Sequence, residues 1–315
     1  MTRISQRAAD QGGSAEGQTL SPVAARRRLG AELRTLREKA ELKLDVAAGR
    51  LQRSAATVSR LETGKAVPRV PDIRELIDLY AEVTPDAITD EVRAKLISLA
   101  ADGRGQQWFS GYKDVLAGDM TPDRMQYFAS LETDATEIRS FQPEVVPGLL
   151  QTHAYAEAMT LLCFPEHTAV QRTRFVDFRL ARQHVLRRDV AALQMRLVLG
   201  ETALRRPIGG PDTMREQLSA LLKILAGDEL PNVELRIAPD SQVSPAVIGG
   251  PFLVMLFVED RDQDVVYLEG RGGEAYLESD AEVAHHVQLF DALERGALDR
   301  EGSLKLVEGA IRTIT

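Results

Sequence analysis

Between residues 43 and 69 four cations, Lys43, Arg50, Arg53 and Arg69, flank the short stretch SAATVSRLETGKAVP (residues 54–68), and a fifth, Lys65, lies near its end. Cations around a tight turn suit the phosphates of a duplex backbone, contacts that position a protein without reading sequence. Arg60, inside the stretch, offers different chemistry: its planar fork matches the N7 and O6 acceptors of guanine. Ser54 is a good helix N-cap, its hydroxyl accepting from backbone N–H groups of the first turn, and Thr57 is placed to reach a phosphate or a base edge. Ala55 and Ala56 carry no side-chain hydrogen-bonding atoms, so on DNA they can only pack against thymine methyl groups. For each cation the competing reading is a solvated basic rim.

A second constellation lies further along. Arg172, Arg174, Arg179, Arg182, Arg187 and Arg188 fall within 17 residues of an acidic region, and helical spacing puts Arg172, Arg179 and Arg182 on one face. They suit an anionic ligand or an acidic partner, unless the region's own carboxylates pair with them. The loop at Pro147 and Gly148 reads as the mouth of a pocket, with Tyr155 and Phe175 as apolar walls. Catalytic arrangements are thin. Glu201 and Glu269 each close a predicted strand and would form an acid/base pair on neighbouring strand ends, although a cap or a salt bridge explains them equally well. His285 and His286 diverge by about 100° on a helix, and Glu282 with His286 lacks a second ligand cluster for a metal. Cys163 follows two leucines and reads as a core residue. The IGGP segments at 208 and 248 lack the lysine and hydroxyl of a phosphate loop and read as turns. The expectation is no catalytic activity, no cofactor and no metal.

These residues sit in a chain of 315 residues, long enough for two domains. With 44% hydrophobic and 27% charged residues, the composition is that of a globular protein rather than a disordered one. No run of 18 apolar residues occurs, which excludes a membrane span. Residues 1–22 are polar and Gly/Ser-rich and read as a disordered tail. One cysteine permits no internal disulfide, which fits a reducing cytoplasm. The formal net charge is −8, yet residues 24–82 hold 13 Lys/Arg against 9 Asp/Glu, a net of +4, and residues 83–315 hold 24 against 36, a net of −12. A small basic module fused to a large acidic one suggests a nucleic-acid contact at one end only.

The basic module reads as five helices. Leu29, Leu33 and Leu36 recur at helical spacing in the first, over Val23–Ala40. KLDVAAGRL (43–51) forms the second, and its Ala47 and Ala48 allow a close crossing. The third follows Ser54, turns Val58 and Leu61 inward, ends at Gly64 and cannot restart past Pro68. The fourth and fifth open at Pro71 and Pro85. On these residues, LGAELRTLREKAELKLDVAAGRLQRSAATVSRLETGKAVP resembles the Xre/Cro-type helix-turn-helix domain. The resemblance implies double-stranded DNA as partner and assigns the base-facing start of the recognition helix to Ala55 and Ala56. It departs from the family at Leu44, where a phosphate-bracing Gln is usual, at Gln52, where the turn usually has Gly, and at the two alanines. With Arg60 as the main reader, a homodimer on two half-sites is expected.

Beyond residue 120 the pattern mixes helices and strands. TPDRMQYFASLETDATEIRSF reads as a helix, as do HAYAEAMTLL, HTAVQRTRFVDFRLARQHVLRR and segments at 211–226, 280–298 and 303–314. LQMRLVLGE and VELRIAP alternate as half-buried strands, while FLVMLFVE and DVVYLEG read as central ones. LETDATEIRSFQPEVVPGLLQTHAYA, RTRFVDFRLARQ, LGETALRRPIGGPDTMREQLSAL, GGPFLVMLF and VVYLEG resemble, in that order, the C-terminal domain of WhiJ-like (Scr-type) actinobacterial regulators. That resemblance implies a transcriptional regulator responding to a small partner protein or a small-molecule effector, or an antitoxin-like protein that sequesters a small partner and autoregulates its operon. The expected architecture is an all-α head at 23–103, a linker at 104–120 and an α+β domain at 121–315 with a small, mostly antiparallel sheet.

Overall fold

The computed structural model describes residues 21–105, 108–112, 122–241, 249–258, 263–270 and 273–314. Two compact units divide between residues 105 and 106.

In the first unit, Ser21 accepts from the Ala24 N–H at 3.2 Å and Pro22 opens α1 (Pro22–Lys39). Ser21 and Pro22, expected to belong to a disordered tail, therefore start the first helix, and residues 1–20 lie outside the described ones. Helices α2 (Leu44–Leu51), α3 (Ala55–Glu62), α4 (Val70–Val83) and α5 (Asp90–Asp102) follow. Leu29, Leu33, Leu36, Ala47, Ala48, Val58, Ile73, Leu76, Ile77, Tyr80 and Leu96 meet in one core, as the 3.6-residue periodicity of each helix requires. The helix expected from Pro85 begins only at Asp90. Pro85–Ala87 makes a single 3-10 turn, and Thr89 caps α5 by accepting from the Val92 N–H at 3.2 Å.

The second unit is built on a six-stranded sheet. Its elements are α6 (Pro122–Asp134), β1 (Glu137–Gln142), α7 (His153–Cys163), α8 (Ala169–Ala181), β2 (Gln194–Gly200), α9 (Thr202–Arg205), α10 (Pro211–Ala226), β3 (Val233–Ala238), β4 (Phe252–Leu256), β5 (Val265–Gly270), β6 (Gly273–Leu277), α11 (Asp280–Gly296) and α12 (Arg300–Thr313). The strand order is β3-β2-β1-β4-β5-β6. The sheet is mixed, not mostly antiparallel. β1, β2 and β3 run parallel, because helices carry the chain across between them, and β4, β5 and β6 turn back on one another antiparallel. The expected helix over 121–141 ends at Asp134, and its last residues form β1 in the middle of the sheet. The helix expected over 167–188 gives way at Arg182 to a 3-10 turn.

Strand alternation gives the sheet two different faces. Phe141, Val198, Phe252, Val254 and Val266 pack beneath Val283, Phe290 and Leu293 of α11. Ile138, Ser140, Gln142, Met195, Leu253 and Tyr267 point the other way and floor a cavity. Of the expected linker, residues 108–112 form a 3-10 turn belonging to this unit: Trp108 stacks on Phe178 at 5.7 Å and donates to Thr133 Oγ1 at 3.1 Å. Residues 106–107 and 113–120 lie outside the described ones. Among the described residues no helix is long and apolar enough to cross a membrane.

Candidate DNA-contacting helix and an arginine-lined cavity

Ser54 caps α3, accepting from the Thr57 N–H at 3.3 Å and sharing a 3.0 Å hydrogen bond with the Thr57 hydroxyl. Val58 and Leu61 are buried. Ala56 and Arg60, one turn apart, are both exposed, and the Arg60 guanidinium has no hydrogen-bond or ion-pair partner among the described residues. Lys43, Arg53, Lys65 and Arg69 are exposed around the same turn. What fixes α3 is a contact the sequence does not advertise. Arg37 of α1 grips Glu62 at the end of α3 bidentately, at 2.6 and 3.0 Å, and donates to the Leu42 carbonyl at 2.8 Å. Both side chains are largely buried, and the Glu62 hydrogen bond holds the Arg37 guanidinium above its ordinary pKa. At Gly30 a Cβ would lie 2.5 Å from the Leu61 and Glu62 carbonyls, so α1 crosses α3 as closely as backbone allows. Gly64 then adopts φ 68°, ending the helix as its position suggests.

In the second unit the open face of the sheet, α6, the 145–151 loop and α7–α8 enclose a cavity of about 360 Å³. Two arginines enter it from adjoining turns. Arg182 is clamped by the buried Glu132 at 2.8 and 2.7 Å and lies over the Phe128 ring at 4.9 Å. Burial pulls its pKa down, but the charge and hydrogen bonds of Glu132 outweigh that and hold it above the ordinary value. Arg179 makes no ion pair among the described residues, although the charge of Glu269, in the same cavity lining, acts on it. It donates to Gln151 Oε1 at 3.1 Å, its Nε is buried without a partner, and burial, with a smaller push from Arg182, lowers its pKa to about 10. A Cβ on Gly148 would come within 3.7 Å of Arg182 Nη1 and 3.8 Å of Arg179 Cγ, which places the Pro147–Gly148 loop against both cations.

Residues 125–309, more than half of the chain, match the model of a family described as Domain of unknown function (DUF5753). The chain belongs to the DUF5753 family. Residues 28–88 match a model described as Helix-turn-helix domain, which spans α2, α3 and the turn between them. No curated protein and no solved structure matches the chain.

In the helix-turn-helix unit two of the expected contact residues are otherwise engaged. Arg50 donates to Glu75 at 3.0 Å and to Glu82 at 3.0 Å, so carboxylates of α4 hold it. Ala55 packs against the core instead of facing outward, because α3 lies against α1 and α2. In the DUF5753 unit the structure brings Pro147, Gly148, Arg179 and Arg182 to one cavity. Arg172 is not with them: it donates to the His167 carbonyl at the start of α8. Tyr155 and Phe175 are not cavity walls. Tyr155 is buried behind the loop and accepts from the Val146 N–H at 3.3 Å, and the Phe175 ring lies beneath the Arg179 guanidinium at 5.5 Å. Of the remaining arginines in the cluster, Arg174 donates to the Gly111 carbonyl and Arg188 to that of Thr133, while Arg187 lies 3.9 Å from Glu229.

Other expectations also change. Cys163 is exposed and lines the cavity at the end of α7, so it is not a core residue. Glu201 and Glu269 are not on neighbouring strands, since β1 and β4 lie between β2 and β5, a separation of roughly 14 Å at ordinary strand spacing. Glu201 is tied to Arg205 and accepts from the Asp240 N–H at 2.8 Å. The His286 ring contacts the Glu282 carbonyl at 2.8 Å, while the Glu282 side chain accepts from Ser279 Oγ. Among the described residues no group of three His, Cys, Asp or Glu is placed to hold a metal. Sequence reasoning misses Arg37 and Glu62, whose 25-residue separation hides their pairing, and the cavity floor of Ser140 and Gln142, because the pattern of residues 121–141 reads as helix throughout.

Proposed function

We propose that the chain is a sequence-specific DNA-binding transcriptional regulator of the Xre/Cro type, working in the cytoplasm with α3 in the major groove. The observation that carries this reading is the outward face of α3: Arg60, exposed and without a partner among the described residues, lies one turn from the exposed Ala56. Arg60 reads guanine through N7 and O6, and Ala56 packs on a thymine methyl group. Lys43, Arg53, Lys65 and Arg69 take backbone phosphates, with Ser54 and Thr57 at the helix N-terminus beside them. One bidentate reader discriminates by about 1–3 kcal/mol, too little alone to select a site. Two copies on half-sites about one helical turn apart supply the rest. The acidic DUF5753 unit responds to a small-molecule effector and has no catalytic role. Selection from a random duplex library tests this directly: the expected result is an enriched motif made of two related half-sites, each with a G·C pair at the arginine-read position, and no enrichment would overturn it.

A further inference from the structure

We propose that the cavity of the DUF5753 unit binds an organic monoanion, a carboxylate with an apolar body, through Arg179. The inference rests on the effector-sensing part of the function proposed above and is independent of the DNA-binding part.

The argument begins from two arginines in one cavity. Arg182 has its counter-charge inside the protein, a bidentate carboxylate. Arg179, three residues away and in the same enclosure, has a single neutral acceptor and a buried Nε with no partner among the described residues. Glu269 of the same lining acts on Arg179 by its charge but makes no ion pair with it; a buried cation without a paired carboxylate is costly, and the protein carries that cost at a position facing an open volume. The volume of about 360 Å³ falls in the range, about 300–1,000 Å³, of small-molecule sites. Its floor is unusual for the middle of a sheet. Ser140 is fully buried and Gln142 donates to it at 3.2 Å, two polar side chains on adjacent inward positions of the central strand β1, where apolar residues are the rule. Apolar surface surrounds them, from Phe128, Ile138, Met159, Met195 and Leu253. A few converging polar groups in an otherwise apolar hollow make the usual build of a ligand site.

The charges at the rim narrow the ligand class. Three carboxylates also face the cavity, Glu132, Glu269 and Glu274. Glu132 is taken by Arg182. Glu269 and Glu274 sit opposite each other across the β5–β6 pair, and Glu269 is exposed. They repel a second negative charge, so the site disfavours phosphate and dicarboxylates and accepts a ligand with one charge for Arg179 and an uncharged remainder.

The only cysteine of the chain lines this cavity and is exposed, so its alkylation rate reports occupancy at the site itself. The test uses the full chain with octanoate as probe, octan-1-ol as its uncharged counterpart and inorganic phosphate as an apolar-free anion, following Cys163 alkylation by iodoacetamide and the thermal midpoint. Octanoate at millimolar concentration is expected to slow alkylation saturably and raise the midpoint, with octanol and phosphate at least roughly tenfold weaker, the weight of one charge-assisted hydrogen bond. Arg179→Gln is expected to raise the apparent octanoate Kd by at least roughly tenfold, and Arg179→Lys by less. Unchanged alkylation with octanoate, equal protection by octanol, or equal octanoate affinity in Arg179→Gln would each overturn the proposal; the first two need no variant. Duplex affinity measured with and without octanoate is a separate readout: protection of Cys163 without any change in DNA binding supports the site and refutes its role as sensor.

Discussion

Arg60 and Arg179 are the same side chain in opposite circumstances. Arg60 stands in water on the helix-turn-helix unit without a partner among the described residues, which costs almost nothing because solvent satisfies it. Arg179 stands in a cavity of the DUF5753 unit with a buried Nε that has no hydrogen-bond partner among the described residues, and there a missing partner is expensive. An exposed cation without a counter-ion is therefore weak evidence of function and needs its surroundings, here a capped helix and flanking cations. A buried one is stronger evidence, because folding would otherwise favour its replacement. The buried pairs Arg37–Glu62 and Arg182–Glu132 show what each unit does when a cation is structural: both are bidentate, and both join segments far apart in sequence.

The largest effect is expected from breaking those structural pairs. Arg37→Ala and Arg182→Ala each leave a buried carboxylate without its counter-charge and are expected to destabilise the chain by about 3–5 kcal/mol in urea unfolding. Arg179→Met is expected to do the opposite, stabilising the unliganded chain by about 1–4 kcal/mol, since an apolar side chain removes a buried charge held by no ion pair. Its pH dependence follows from the sign. Burial lowers the native pKa to about 10, below the ordinary arginine value, so the unfolded chain holds this proton more tightly. The native state bears the full penalty below pH 10, recovers stability as pH rises above about 10 toward the ordinary arginine pKa, and Arg179→Met abolishes that rise. Next in size, Lys43→Ala, Arg53→Ala or Arg69→Ala is expected to lower affinity for all duplexes and reduce the slope of log K against log salt by about 0.9 each. Arg50→Ala is expected to leave that slope unchanged, because Glu75 and Glu82 already hold Arg50. The smallest effect is at the turn. Gln52 adopts φ 53° and ψ 44°, a left-handed conformation that penalises a residue with a Cβ, so Gln52→Gly is expected to raise stability by about 0.5–1 kcal/mol in the same unfolding assay.

The helix-turn-helix unit was legible because its signals are local. Ser54, Val58, Leu61, Gly64 and Pro68 act within a few residues of one another, and cap, inward face and terminator follow from their spacing. Even there, the outward set differs at Ala55, which faces the core, and at Arg50, which α4 captures through carboxylates 25 and 32 residues away. In the DUF5753 unit the strands β2 to β5 announced themselves by alternation or continuous apolar runs. β1 did not, because EIRSFQ interrupts its apolar pattern with Ser140 and Gln142, and those two residues are what the cavity requires. The sheet's mixed direction follows from helices lying between β1, β2 and β3, an order visible only once β1 is recognised. Helical spacing pointed to Arg172, Arg179 and Arg182 together, of which only the last two meet in the cavity. That one would be paired with Glu132 and the other left without an ion pair depends on a contact across 50 residues, which no local pattern carries.

The central claim is that Arg60 reads sequence while its neighbours only hold the backbone. Equilibrium binding of wild-type and Arg60→Ala chains to a selected duplex and to a scrambled one, at the same salt concentration, tests it most directly. The account predicts a loss of about 1–3 kcal/mol per half-site on the selected duplex and nearly unchanged affinity for the scrambled one. An equal loss on both duplexes, or none on either, would contradict it.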